Sequence, residues 1–144
     1  MADPFNLQRF LDAQEQHYGS VLKELRAGRK TSHWMWYIFP QVKGLGGSAM
    51  SHEYAISSPA EARAYCDHPI LGKRLRECTQ LMLDVQGRTL AEILSYPDDL
   101  KFRSCMTLFA KTANEPQIFE QALRKYSGGE LDHRTLDILK RQSN

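Results

Sequence analysis

The sequence has no apolar run approaching the roughly 18 residues of a membrane-spanning helix, so a helical membrane protein is excluded. It begins MADPFNLQRF, without a basic region followed by an apolar stretch, and no secretion signal is expected. No two histidines stand at helical spacing, there is no Cys-x-x-Cys, and the carboxylates do not cluster. No metal site is signalled, and no cofactor is expected. A Gly-x-Ser-x-Gly elbow and a Walker-type phosphate loop are also missing, so no reaction is named by motif alone. Cysteine is scarce: Cys66, Cys78 and Cys105 form an odd set without close pairing. That suits reduced, buried thiols in a reducing cytoplasm, the expected location. A net charge of only +2 argues against nucleic acid as a partner, and against a membrane surface. Strand signals are sparse too. WYIF is β-prone but brief, and Pro40 closes it.

What is present reads as helix after helix. The 144 residues suffice for a single domain, 1–144, with one sizeable core. Their 42% hydrophobic and 25% charged content is ordinary for a globular chain. Asp3 followed by Pro4 is a favourable helix start, and Leu7, Phe10, Leu11, Tyr18, Val21, Leu22 and Leu25 continue one stripe to Gly28. Ser58-Pro59, Pro69, Thr89 with Glu92, Pro97, Pro116 and Asp132 mark further helix starts, and Gly87 and Gly128-Gly129 mark stops. The expected fold is all-α: a compact single-domain array of about six or seven helices. One long irregular loop spans 41–57, and any strand should fall within 34–57. Loops of that length in compact domains tend to be functional.

Two stretches stand out chemically. The first is GRKTSHWMWYIFPQVKGLGGS, residues 28–48. Trp34 and Trp36 point about 200° apart if helical, and share a face if extended. They are either a core plug or the wall of a site, and an indole wants a polar partner in both cases. Arg29, Lys30 and His33 precede the rings; Gln41, Gly44, Gly46, Gly47 and Ser48 follow them. Cations beside rings suit a flat anionic ligand, and glycines let backbone N–H groups approach its oxygens. His33 also titrates near neutral pH. The second stretch is PDDLKFRSCMTLFAKT, residues 97–112. Asp98 and Asp99 fit the first turn of a helix, where carboxylates are favoured electrostatically. Lys101, Ser104 and Thr107 recur on an otherwise apolar helix. There they must find partners or face a cavity. The two stretches are expected to pack together and to set Arg29, His33 and the 41–48 loop beside Asp98 in one polar pocket.

RFLDAQ, ELRAGRKTSHWMWYIFPQVKGLGGS, YAISSPAEARAY, HPILGKRL, YPDDLKFRSCMTLFA and DHRTLDIL together resemble a mainly bacterial family, the domain of unknown function 1810. The likeness runs from about Phe10 to Leu139. It implies a compact, helical, single-domain cytoplasmic protein and carries no activity with it. The label calpastatin attached to some members is set aside, because nothing here resembles a disordered protease inhibitor. One departure from the family pattern is the GLGGS loop, which the second glycine of Gly46-Gly47 loosens.

Two functions follow as expectations. One is a cleft for a small anionic, nucleotide-like molecule, bound by Arg29, Lys30, Trp34, Trp36, Gln41, Gly44, Gly46, Ser48, Lys101, Ser104 and Thr107. A metal-free N-glycosidic hydrolase would use the same cleft, by analogy of style with small helical N-glycosidases. In it Asp98 or Asp99 would steady a developing oxocarbenium and His33 would assist the leaving base. The other is a non-enzymatic module for a protein partner or single-stranded nucleic acid, through cations and stacking rings.

Overall fold

The computed structural model of the chain describes residues 2–142. Ten helices are found among them: α1 (Gln8–Glu15), α2 (Tyr18–Arg26), α3 (Met35–Ile38), α4 (Ala49–Glu53) and α5 (Pro59–Asp67), followed by α6 (Leu71–Asp84), α7 (Leu90–Leu94), α8 (Asp98–Thr112), α9 (Gln117–Ser127) and α10 (His133–Gln142). The fold is all-α, with 64% helix and no strand among the described residues. One isolated parallel bridge joins Val42 to Ile56, inside the interval where a strand was allowed.

The count of six or seven helices is corrected to ten, for two physical reasons. The stripe from Leu7 to Leu25 is two helices, not one, because its halves pack on different partners. α1 lies on α3, whereas α2 lies on α6. Buried Gln14 anchors the break: its amide donates to the Tyr37 carbonyl (2.7 Å) and accepts from Arg74 (3.2 Å). The second reason is that short helices form where loop or strand was expected. WYIF contributes to α3, where packing overrides β propensity. Ser48 caps α4 inside the 41–57 loop, its hydroxyl accepting the Ser51 N–H at 3.1 Å.

Most start signals act locally, as read. The Ser58 hydroxyl accepts the Glu61 N–H (3.1 Å), and Thr89 and Glu92 form a reciprocal capping box (2.7 and 3.2 Å). Asp3 accepts the N–H groups of Leu7 (2.8 Å) and Gln8 (3.0 Å). Asn6 turns left-handed between cap and helix (φ 51°), so α1 starts at Gln8 rather than Pro4.

α8 is the axis of the molecule. It packs against α5, α7, α9 and α10, and buries Phe102, Cys105, Met106, Leu108 and Phe109. Aromatic contacts hold it in place: Phe39 meets Phe102 edge-on at 5.0 Å, and Phe109 meets Phe119 in a tilted pair at 5.7 Å. Each such ring contributes roughly 1.5–3 kcal/mol by leaving water. The polar start of α8 is half-buried rather than enclosed, with Leu100 exposed.

Candidate functional site

The 29–34 segment is organised by a carboxylate that sequence reasoning passed over. Glu24 of α2 is buried, and its Oε1 accepts the N–H groups of Thr31 (2.7 Å) and Ser32 (2.9 Å) and the indole N–H of Trp34 (3.0 Å). The Ser32 hydroxyl donates to Oε2. Burial pushes the Glu24 carboxyl up, but the Ser32 hydroxyl and the other three donors outweigh it and hold the group at about 2. Trp34 is therefore a core ring, 1% exposed, with its polar handle satisfied.

Held this way, the segment presents Lys30 to α8. The Lys30 N–H donates to the Ile93 carbonyl (2.7 Å), and its ammonium pairs with Asp98 at 2.8 Å while lying 5.2 Å above the Trp34 ring. Lys30 is only 8% exposed along its side chain and Asp98 18%, so the pair is largely desolvated. Lys101 joins Asp98 from the next turn at 3.6 Å and sits 5.5 Å over half-buried Trp36. The two tryptophans thus divide the roles considered for them: one is core, the other lies beneath a surface cation.

Beside this cluster opens a cleft of about 290 Å³. Gln41, Leu45 and Gly46 form one wall. Pro97, Leu100, Lys101, Arg103 and Ser104 of the α8 region form the second, and Asp132 and Arg134 at the start of α10 the third. Ser104 and Thr107 hold the third wall in place. The Ser104 hydroxyl donates to Asp132 Oδ2 (2.9 Å), and the Thr107 hydroxyl accepts the Asp132 N–H (2.9 Å) while donating to the Arg103 carbonyl (2.8 Å). Asp132 Oδ2 also accepts from the Thr135 N–H (3.2 Å) and hydroxyl, so this oxygen is committed to capping α10. The guanidinium groups of Arg103 and Arg134 make no ion pair or hydrogen bond with any described residue. Arg103, Arg134 and Lys101, the first two unpaired among the described residues, therefore line a space with one carboxylate on its wall.

The expected residues divide clearly by position. Gln41, Gly46, Lys101 and Ser104 line the cleft, so the loop and the start of α8 do meet. Gly44 and Trp36 border a smaller hollow behind the loop, with Gln41 and Gly46 shared between the two. Lys30, Asp98 and Trp34 do not line the cleft and connect to it only through the Asp98–Lys101 pair, and Thr107 acts through Asp132. Ser48 caps α4, and Asp99 accepts the Leu100 N–H (2.9 Å) in the first turn of α8. Arg29 and His33 are exposed and are not among the cleft residues. Leu45, Pro97, Leu100, Arg103, Asp132 and Arg134 were missed. Arg103 was within reach of the argument used for Lys101, a cation on an apolar central helix. Arg134 lies 31 positions downstream and gave no local signal. Among the described residues no three His, Cys, Asp or Glu side chains gather to hold a metal ion. No described helix is long and apolar enough to cross a membrane.

The fold and site define a class: a small, single-domain, all-helical protein with a cationic cleft where its central helix meets the surface. The chain belongs to the family described as Protein of unknown function (DUF1810), whose model matches residues 4–139. It is similar to the conserved hypothetical protein Rv1873 from Mycobacterium tuberculosis, known from a crystal structure. The two are 54% identical with a TM-score of 0.95, over 96% of this chain and 99% of that one. No curated protein matches the chain.

Proposed function

We propose that the protein binds a small anionic, nucleotide-like ligand in the cleft between the 41–46 loop, the start of α8 and the start of α10. One observation carries this reading: Arg103 and Arg134 border the same cleft, and their guanidinium groups have no partner among the described residues. Arg9, by contrast, is taken up by Glu61 at 2.8 Å. Two planar forks left open beside Lys101 match the oxygens of a phosphate or phosphate ester, which they would grip bidentately. Leu45, Pro97 and Leu100 supply an apolar side for a ring or sugar. The volume of about 290 Å³ stands at the small end of ligand pockets and suits a mononucleotide or sugar phosphate.

N-glycosidic hydrolysis would ask more of the site. It needs a carboxylate free to face the anomeric carbon. Asp98 is engaged by Lys30 and Lys101, and Asp132 Oδ2 by Ser104 and Thr135. The reading therefore rests at binding. Titration calorimetry with AMP, ADP, ADP-ribose and inorganic pyrophosphate tests it. At least one should bind, and Arg103→Ala and Arg134→Ala should each lower affinity about tenfold, the low end for charge-assisted bonds at a wet site. No binding across the panel, or equal binding by the double variant, would refute the proposal.

A further inference from the structure

We infer that this cleft selects a terminal phosphomonoester, a dianion with three free oxygens, and that Lys101 is the residue that reads the second charge. The inference rests on the anion-binding reading above and names its ligand class. Lys101, Arg103 and Arg134 line the cleft against one carboxylate, Asp132, so its wall holds two positive charges in excess. Asp98 and Lys30, which continue the chain of pairs from Lys101, leave that excess unchanged because their charges cancel. The formal charge of the whole chain is also +2, so all its other Lys, Arg, Asp and Glu side chains sum to zero. An excess of two is balanced by a doubly charged group and only half balanced by a diester or a carboxylate.

The wall keeps these cations apart from its own carboxylate. Asp132 Oδ2 accepts from the Ser104 hydroxyl and from the Thr135 N–H and hydroxyl, and neither arginine pairs with it. Lys101 comes no closer to Asp98 than 3.6 Å, whereas Lys30 holds the same carboxylate at 2.8 Å. At that distance the Lys101 ammonium forms an ion pair without a hydrogen bond, and it donates to no described residue. Trp36, 5.5 Å from it, offers only a ring face. The ammonium donors of a side chain that is 25% exposed and lines the cleft are thus open to a ligand. A diester presents two free oxygens, which the guanidinium forks can span. The third oxygen and second charge of a monoester give the ammonium its partner.

The test compares AMP with its methyl ester, which keeps the base and sugar and removes one charge and one free oxygen. At pH 8 AMP is a dianion, since its second proton leaves at about pH 6. The wild-type protein, titrated at one fixed ionic strength, should prefer AMP by about tenfold, the worth of one charge-assisted bond. Lys101→Met should bring that ratio below about threefold with methyl ester affinity unchanged, and Lys101→Arg should keep it. Arg103→Ala should instead weaken both esters alike. Asp98 stays paired with Lys30 in Lys101→Met, so the Tm should hold. Equal affinities for the two esters in the wild type, or a preference that Lys101→Met leaves intact, would overturn the inference and leave the anion site standing. Failure of both esters and of pyrophosphate to bind would overturn the cleft reading itself, and this inference with it.

Discussion

Replacing Glu24 should show how much stability one buried carboxylate supplies, through a pH signature that few other residues share. Glu24→Ala orphans the Trp34 indole N–H, which is 1% exposed, and frees the Thr31 and Ser32 N–H groups. At roughly 1–3 kcal/mol per unsatisfied buried group, with the backbone pair partly rehydrated, the cost is about 3–5 kcal/mol. In a domain of this size that lowers Tm by about 10–15 °C. Glu24→Gln isolates the charge. The folded carboxyl titrates at about 2 instead of 4.5, which corresponds to about 3 kcal/mol. Because the folded value is the depressed one, this stability is fully present above pH 4.5. It drains away as pH falls from 4.5 towards 2. Urea unfolding of wild type and Glu24→Gln at pH 7, 5, 4 and 3 should show a constant gap down to pH 5. Below that the gap should narrow by about 1.4 kcal/mol per pH unit. Asp3 and Glu92 are also held low by backbone bonds, but they are common to both proteins and cancel in the difference. A gap that stays constant down to pH 3, or a Glu24→Ala protein within 1 kcal/mol of wild type, would refute the reasoning.

Gly72→Ala should prevent stable folding, because a Cβ there would stand 1.9 Å from the Cys66 carbonyl oxygen at the junction of α5 and α6. Soluble protein with an unchanged Tm would disprove the close approach. Asp98→Ala leaves the Lys30 ammonium without its counter-charge at 8% exposure, and should cost about 2–4 kcal/mol, part of it regained by Lys30→Met. If ligand affinity fell while Tm held, Asp98 would instead have the direct role at the ligand expected of it from the sequence. Burial pushes the thiols of Cys66 and Cys78 up to about 12 and that of Cys105 well above its usual range. A thiol reagent at pH 8 should therefore label none of the three until denaturant is added; rapid native labelling would contradict this.

The features legible from the sequence are those whose physics spans three or four residues. Ser58 with Glu61, Thr89 with Glu92 and the left-handed Gly128 after α9 close hydrogen bonds among near neighbours, so their spelling suffices. The apolar character of residues 102–109 likewise announced a central helix. Tertiary structure decided what depends on distant partners. Trp34 and Trp36 read alike in sequence, but Glu24 draws one indole into the core and Lys101 lies over the other. The stripe from Leu7 to Leu25 carries no glycine or proline at Gln16-His17, and it breaks there because α3 and α6 claim its two halves. Arg103 and Arg134 come to one cleft because Ser104 and Thr107 hold Asp132 against α8, a contact made across 25 or more residues. A cap is written where it acts, whereas a cleft exists only after its walls have packed.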